Sequence, residues 1–177
     1  MGQHYKAILL ADDTGDITNY FWAWDYDDFA KLTEHSWLGN EFVEAVEAQL
    51  RQPSRVVWAG EYADPEPDGE TLFVKARTAP KAPKTGPRPV GRYVINHDKR
   101  AYVDKNAVKP NGEGWRLHPL SILTAEGNDR GSGDLRPENT TGTFDLVGSW
   151  ARNHISIEDT PPDGYNEITF DLIENWS

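Results

Sequence analysis

Short apolar runs separated by clusters of turn-forming residues restrict this chain to a fold rich in strands. The first two runs, residues 5–11 and 17–24, flank the acidic turn Asp12–Asp16 and predict a β-hairpin. Residues 91–95 and 100–104 flank a polar turn and predict a second hairpin. The same kind of pattern predicts further strands at residues 55–62, 72–76, 150–157 and 165–173.

One segment has helical periodicity instead. Its apolar residues recur on one helical face, and they are Phe42, Val43, Val46 and Leu50. Asn40 is a suitable N-cap, and Pro53 ends the pattern. We expect the other side, with Glu41, Glu44 and Glu47, to face solvent. Strands accompanied by one or two helices predict an α+β fold with a mainly antiparallel sheet.

The length of the chain fits a single domain. A chain of 177 residues should bury about 70% of its unfolded surface, so we predict one domain over residues 1–177. Residues 79–90 are rich in proline and lysine, which predicts an extended surface loop. With neither a signal-peptide pattern nor an apolar run of membrane-spanning length, we expect a cytoplasmic protein without membrane association.

The charge is strongly segregated along the chain. Residues 11–70 hold 15 acidic and 3 basic side chains, residues 71–116 hold 3 and 11, and residues 117–177 hold 11 and 3. A net charge of −11 disfavours direct nucleic-acid binding and favours a cationic partner. The basic middle segment could instead fold back on the acidic segments and neutralise them.

Aromatic and acidic residues coincide in the first third of the chain. Tyr and Trp provide rigid contact area and carboxylates steer a cationic partner, which is typical of a protein-binding surface. The residues concerned are Trp22, Trp24, Asp25, Tyr26, Asp27, Asp28, Glu41 and Glu44. The alternative for the aromatic positions of the predicted strand is packing in the core. The leading hypothesis is an acidic, immunity-type recognition or inhibitor protein that blocks a basic protein such as a nuclease toxin.

The glycine-rich stretch 126–136 is a second candidate site. It lacks the Lys-Ser or Lys-Thr end of a phosphate loop, and its other residues fit neither a dinucleotide fingerprint nor a calcium loop. Its backbone N–H groups could still bind a small anion, with Arg130, Gly131, Gly133 and Arg136 as ligands. An ordinary loop in which Asp129 and Asp134 pair with the arginines is the alternative.

The histidines offer an enzymatic alternative. His154-Ile155-Ser156-Ile157 resembles one half of the His-apolar-Ser/Thr-apolar signature of two-histidine phosphoesterases, but His118 is followed by Pro119 and no second copy is present. In that alternative His118, His154 and Ser156 would act near the glycine-rich stretch on a phosphoester. The chain has no cysteine and no local histidine pair with ligand spacing, so we predict no metal and no cofactor. A third possible class of function is that of a structural or assembly subunit.

Overall fold

An eight-stranded, mainly antiparallel sheet forms the centre of the computed structural model, which describes residues 3–84, 91–127 and 135–175. The strand order is β2-β1-β3-β8-β4-β5-β9, and β6 pairs in parallel with β3. The strands are β1 Tyr5–Leu10, β2 Ile17–Phe21, β3 Ser54–Gly60, β4 Tyr93–Asn96, β5 Ala101–Asp104, β6 Ala125–Glu126, β7 Thr140–Thr141, β8 His154–Glu158, β9 Asn166–Glu167 and β10 Ile173–Glu174. The helices are α1 Leu32–His35, α2 Glu41–Ala48, α3 Leu72–Lys75 and α4 Pro119–Leu123. The predicted α+β class is confirmed.

The strands β1 and β3 bury side chains on both faces of the sheet, in two separate apolar clusters. All six residues of β1 are buried. Tyr5 and Trp58 face the main core, which also holds the apolar sides of α2 and α4. Ile8 and Val57 face a smaller cluster, which is covered by Leu72 of α3 and by Ala76 directly after it. Continuous burial on both faces explains the unbroken apolar runs of these strands.

Both predicted hairpins and the predicted helix are present. β1 pairs with β2, and β4 pairs with β5. Asn40 caps α2, since its side chain accepts a hydrogen bond from the Val43 N–H at 3.1 Å. Glu41 is exposed and Glu44 is partly exposed, but Glu47 is 2% exposed, so the prediction that it faces solvent is wrong.

Two predicted strands are wrong. Residues 72–75 form α3 because the Thr71 side chain caps the Val74 N–H, which starts a helical turn. Within residues 165–173, only Asn166–Glu167 joins the sheet. The chain then leaves the sheet, and Phe170 and Leu172 are buried in the main core.

The chain also turns earlier than expected after β2. Ala23–Tyr26 is a 3-10 helix, and Asp27 follows it in the left-handed region with φ 54°. Phe21 and Ala23 are buried, whereas Trp22 is half-buried and Trp24 is exposed. The first part of the proline- and lysine-rich segment lies against β2, where Ala82 N–H donates to the Tyr20 carbonyl. Residues 85–90 of that segment lie outside the described residues.

Candidate functional site

An exposed aromatic side chain follows the left-handed turn at Asp27. Asp28 Oδ1 accepts a hydrogen bond from the Phe29 N–H at 2.8 Å, and Asn40 Nδ2 donates to Asp28 Oδ2. These bonds tie the turn to the N-terminus of α2. They leave Phe29 66% exposed.

A cleft opens beside Phe29, between α1 and the turn that carries Trp115. We call it the aromatic cleft; its volume is about 570 Å³, and its lining includes Phe29, Thr33, Glu34, Trp37, Glu113 and Trp115. The rings of Trp37 and Trp115 meet edge to face with centroids 5.8 Å apart. Trp37 is buried, and Trp115 is 54% exposed. The cleft therefore has a fixed aromatic wall and two accessible rings.

Hydrogen bonds hold both sides of the cleft in place. Trp37 Nε1 donates to the Thr33 carbonyl at 2.7 Å. On the other side, Asn111 Oδ1 accepts from the N–H groups of Glu113 and Trp115, at 2.9 and 3.0 Å. The Asn111 side chain is itself buried and donates to the Glu174 carbonyl. The exposed Trp115 is thus presented by an anchored turn.

Two carboxylates, Glu34 and Glu113, line the cleft, and others lie on the turn and the helix that Asn40 of the lining joins. Within residues 3–84, 91–127 and 135–175, six acidic side chains near the cleft or on the adjoining α2 have no Lys, Arg or His within ion-pair distance. They are Asp27, Asp28, Glu34, Glu41, Glu44 and Glu113. Together with Phe29 and Trp115 we call these residues the acidic face.

Elsewhere, downstream cations do fold onto the early acidic segment. Lys81 Nζ lies 3.1 Å from Asp25 Oδ2, and Lys105 pairs with Glu47. Arg152 binds Glu66 through two hydrogen bonds of 2.9 Å each. Ion pairs therefore offset the negative charge at these positions, whereas the carboxylates of the acidic face, like Asp13, Asp16, Asp64 and Glu70, have no ion pair among the described residues.

The predicted partner-binding residues divide into two groups. Asp27, Asp28, Glu41 and Glu44 belong to the acidic face. Tyr26 is buried and Asp25 is paired with Lys81. Trp22 and Trp24 pack on each other with centroids 5.1 Å apart and contact His4, and neither is among the residues that line the aromatic cleft.

Sequence reasoning missed Phe29, Glu34, Glu113 and Trp115 as site residues. The available signal was a tryptophan directly after the turn Gly112-Glu113-Gly114, where a large aromatic side chain has no strand or helix to bury it. The pairing of this turn with Phe29 depends on the tertiary fold.

The predicted histidine site is assembled from different residues. His154 lies on β8 with Nδ1 3.0 Å from Asp98 Oδ2 and Nε2 3.1 Å from Asp12 Oδ1. Ser156 contacts His97 instead of His118, with Oγ 2.7 Å from His97 Nε2, and it donates to Glu158. Burial lowers the pKa of His97, against the opposing effect of nearby carboxylates.

This arrangement does not favour a phosphoester substrate. The side chains of Asp12, Asp98 and Glu158 approach the two imidazoles and Ser156, and their charge would repel a phosphate group. Ser156 is also fully buried. His118 is 1% exposed, and its Nε2 lies 3.0 Å from Glu47 Oε1. His118 thus serves the core beneath α2.

Most of the predicted anion site lies outside the described residues. This applies to Arg130, Gly131 and Gly133, whereas Arg136 is exposed, with Nη1 4.0 Å from Glu138 Oε1. A cavity of about 540 Å³ lies beside Gly127 and includes Arg152. Glu126 and Glu66 both bind that guanidinium, so its charge is already balanced.

Two structural features are absent from residues 3–84, 91–127 and 135–175. No group of three or more His, Asp or Glu side chains there has the arrangement of a metal site. No helix there combines the length and apolarity needed to cross a bilayer.

Comparison with known proteins adds no family to this description. No protein-family model, no curated protein and no solved structure matches the chain.

Proposed function

We propose that this protein is a non-enzymatic recognition protein of the inhibitor or immunity type, and that it binds a basic protein through the acidic face. The observation that carries the proposal is a cleft with two exposed rings, Phe29 and Trp115, and two lining carboxylates, Glu34 and Glu113. These two and the four other carboxylates of the acidic face have no Lys, Arg or His within ion-pair distance among the described residues.

The two kinds of side chain support different parts of binding. Exposed aromatic rings bury large apolar area at a small cost in side-chain entropy, which gives affinity at the centre of an interface. Unpaired carboxylates at the rim attract a cationic partner before contact and raise the association rate. The acidic face has both, and the aromatic cleft gives it a concave centre.

Capture from a lysate of the native host with matched variants tests the proposal. The face variant carries Asp27→Asn, Glu34→Gln, Glu41→Gln and Glu44→Gln. The control variant removes the same number of charges at other exposed sites, through Glu138→Gln, Asp159→Asn, Asp163→Asn and Glu167→Gln. We expect the wild type and the control to retain a basic protein that the face variant loses.

The salt dependence of association supplies the second readout. For the purified captured protein, we expect the association rate to fall about tenfold or more between ~50 mM and ~500 mM salt. Equal capture by the face and control variants, or an association rate that does not change with salt, would rule out the acidic face as the binding site.

A further inference from the structure

The aromatic cleft has the chemistry of a site for a cationic side chain. Phe29, Trp37 and Trp115 supply ring surface, and Glu34 and Glu113 supply two exposed carboxylates. Among the described residues that line it, none is Lys or Arg. A cation that enters would find both ring quadrupoles and negative charges, without a competing cation among the described lining residues.

The same chain shows how such groups bind a guanidinium. Arg92 lies over the Tyr93 ring at 5.2 Å from its centroid. At the same time it binds Asp104 with two hydrogen bonds of 2.9 and 2.8 Å. One aromatic face and one carboxylate thus hold an arginine in this fold. The aromatic cleft presents more rings and two carboxylates, but without an arginine of its own in the described lining.

We propose that the aromatic cleft receives an arginine side chain of the basic partner, an inference that rests on the proposed function. A planar guanidinium can stack on the exposed rings while its fork of N–H groups donates to Glu34 and Glu113. A lysine ammonium is a strongly hydrated point charge and gains less from stacking. A volume of about 570 Å³ leaves room for the alkyl stem as well.

A small peptide tests binding of an arginine side chain in the aromatic cleft separately from capture of the whole partner. The probe is acetyl-Gly-Arg-Gly-amide, and the control is the same peptide with citrulline, which keeps the shape of arginine without its charge. A third peptide carries lysine in place of arginine. Indole N–H signals in a two-dimensional NMR titration report binding. We expect the arginine peptide to shift the Trp115 signal in a saturable way, the lysine peptide to bind more weakly, and the citrulline peptide to leave the signal unchanged.

Variants then identify the site. Because Trp115→Ala lacks the Trp115 signal, the indole N–H of Trp37 in the same cleft reports binding to the variants. Trp115→Ala should weaken binding of the arginine peptide about fivefold or more, and Glu34→Gln with Glu113→Gln should weaken it as well. Trp24→Ala removes an equally exposed indole from another cluster and should have no effect. The substituted side chains are exposed, so each variant should fold, which the unchanged Trp150 signal can confirm.

Three results would overturn the inference: no saturable shift of Trp115, an equal shift with the citrulline peptide, or equal weakening by Trp24→Ala and Trp115→Ala. The outcome is separable from that of the proposed function. Capture that depends on the acidic face, combined with failure of the arginine peptide, refutes the arginine pocket alone. Peptide binding without capture of a basic protein refutes the proposed function and leaves the pocket in place.

Discussion

Glu47 of α2 binds two other segments of the chain: Lys105, which follows β5, and His118, which precedes α4. Its two carboxylate oxygens accept hydrogen bonds from Lys105 and from His118 Nε2. His118 Nδ1 accepts from the Leu120 N–H at 3.1 Å, so the imidazole proton lies on Nε2 and points at Glu47. Burial raises the pKa of the Glu47 carboxyl, but His118 and Lys105 outweigh burial and hold the pKa below its ordinary value.

Replacing Glu47 should therefore destabilise the fold strongly. Glu47→Gln leaves the buried Lys105 ammonium without its countercharge, and we expect a loss of about 3 kcal/mol in the free energy of unfolding. Urea denaturation measures the loss. Glu41→Gln, an exposed change on the same helix, is the control and should cost almost nothing. The double variant Glu47→Gln with Lys105→Met should recover part of the stability, and a double variant that is less stable still would contradict this account.

The same carboxylate should make stability depend on pH. Because its pKa is depressed in the folded state, Glu47 stabilises the protein above the unfolded pKa of about 4.3, and this contribution is lost as the pH falls through the folded value. The difference in unfolding free energy between wild type and Glu47→Gln should therefore be constant near neutral pH and shrink in acid. A difference that grows as the pH falls would exclude the ion pair as its source.

At the scale of the elements, local signals determine what the sequence could predict. The helix α2 was predictable because its apolar period continues for more than two turns and Asn40 caps it. The segment that forms α3 is too short for its apolar pattern to distinguish a helix from a strand. The side chain of Thr71, which caps the first turn, favours the helix. The aromatic cleft was not predictable, because Phe29 and Trp115 are brought together only by packing of distant segments.

The N-cap of α2 also positions the candidate site, since Asn40 binds Val43 on the helix and Asp28 in the turn. Asn40→Ala should lower the free energy of unfolding by about 1 to 2 kcal/mol. It should also increase amide hydrogen exchange in residues 27–29, because the turn loses its tie to the helix. Asn106→Ala at an exposed position is the matched control. A loss of stability without faster amide exchange in the turn would mean that the Asn40 cap stabilises the helix but does not hold the candidate site in place.

At the scale of the whole molecule, neutralisation of the first third is incomplete. The basic middle segment reaches back to Asp25 through Lys81 and to Glu47 through Lys105. The sequence could not reveal which carboxylates these cations would reach, because ion pairs between distant segments depend on the fold. Among the described residues of the first third, the carboxylates left without an ion pair include those of the acidic face in that part of the chain, together with Asp13, Asp16, Asp64 and Glu70.

Lys81 is therefore expected to restrain association with a cationic partner. It is an exposed cation that contacts Asp25, two residues before Asp27 of the acidic face. Lys81→Gln should raise the association rate of the captured partner several-fold at low salt, because it frees the Asp25 charge, and the gain should vanish at high salt. Lys99→Gln makes the same change of net charge in the β4–β5 turn and is the control. If Lys81→Gln raises the association rate more than Lys99→Gln does, the extra increase comes from the position of the charge. Equal rates for the two variants would mean that only net charge matters, and that the acidic face does not direct the encounter.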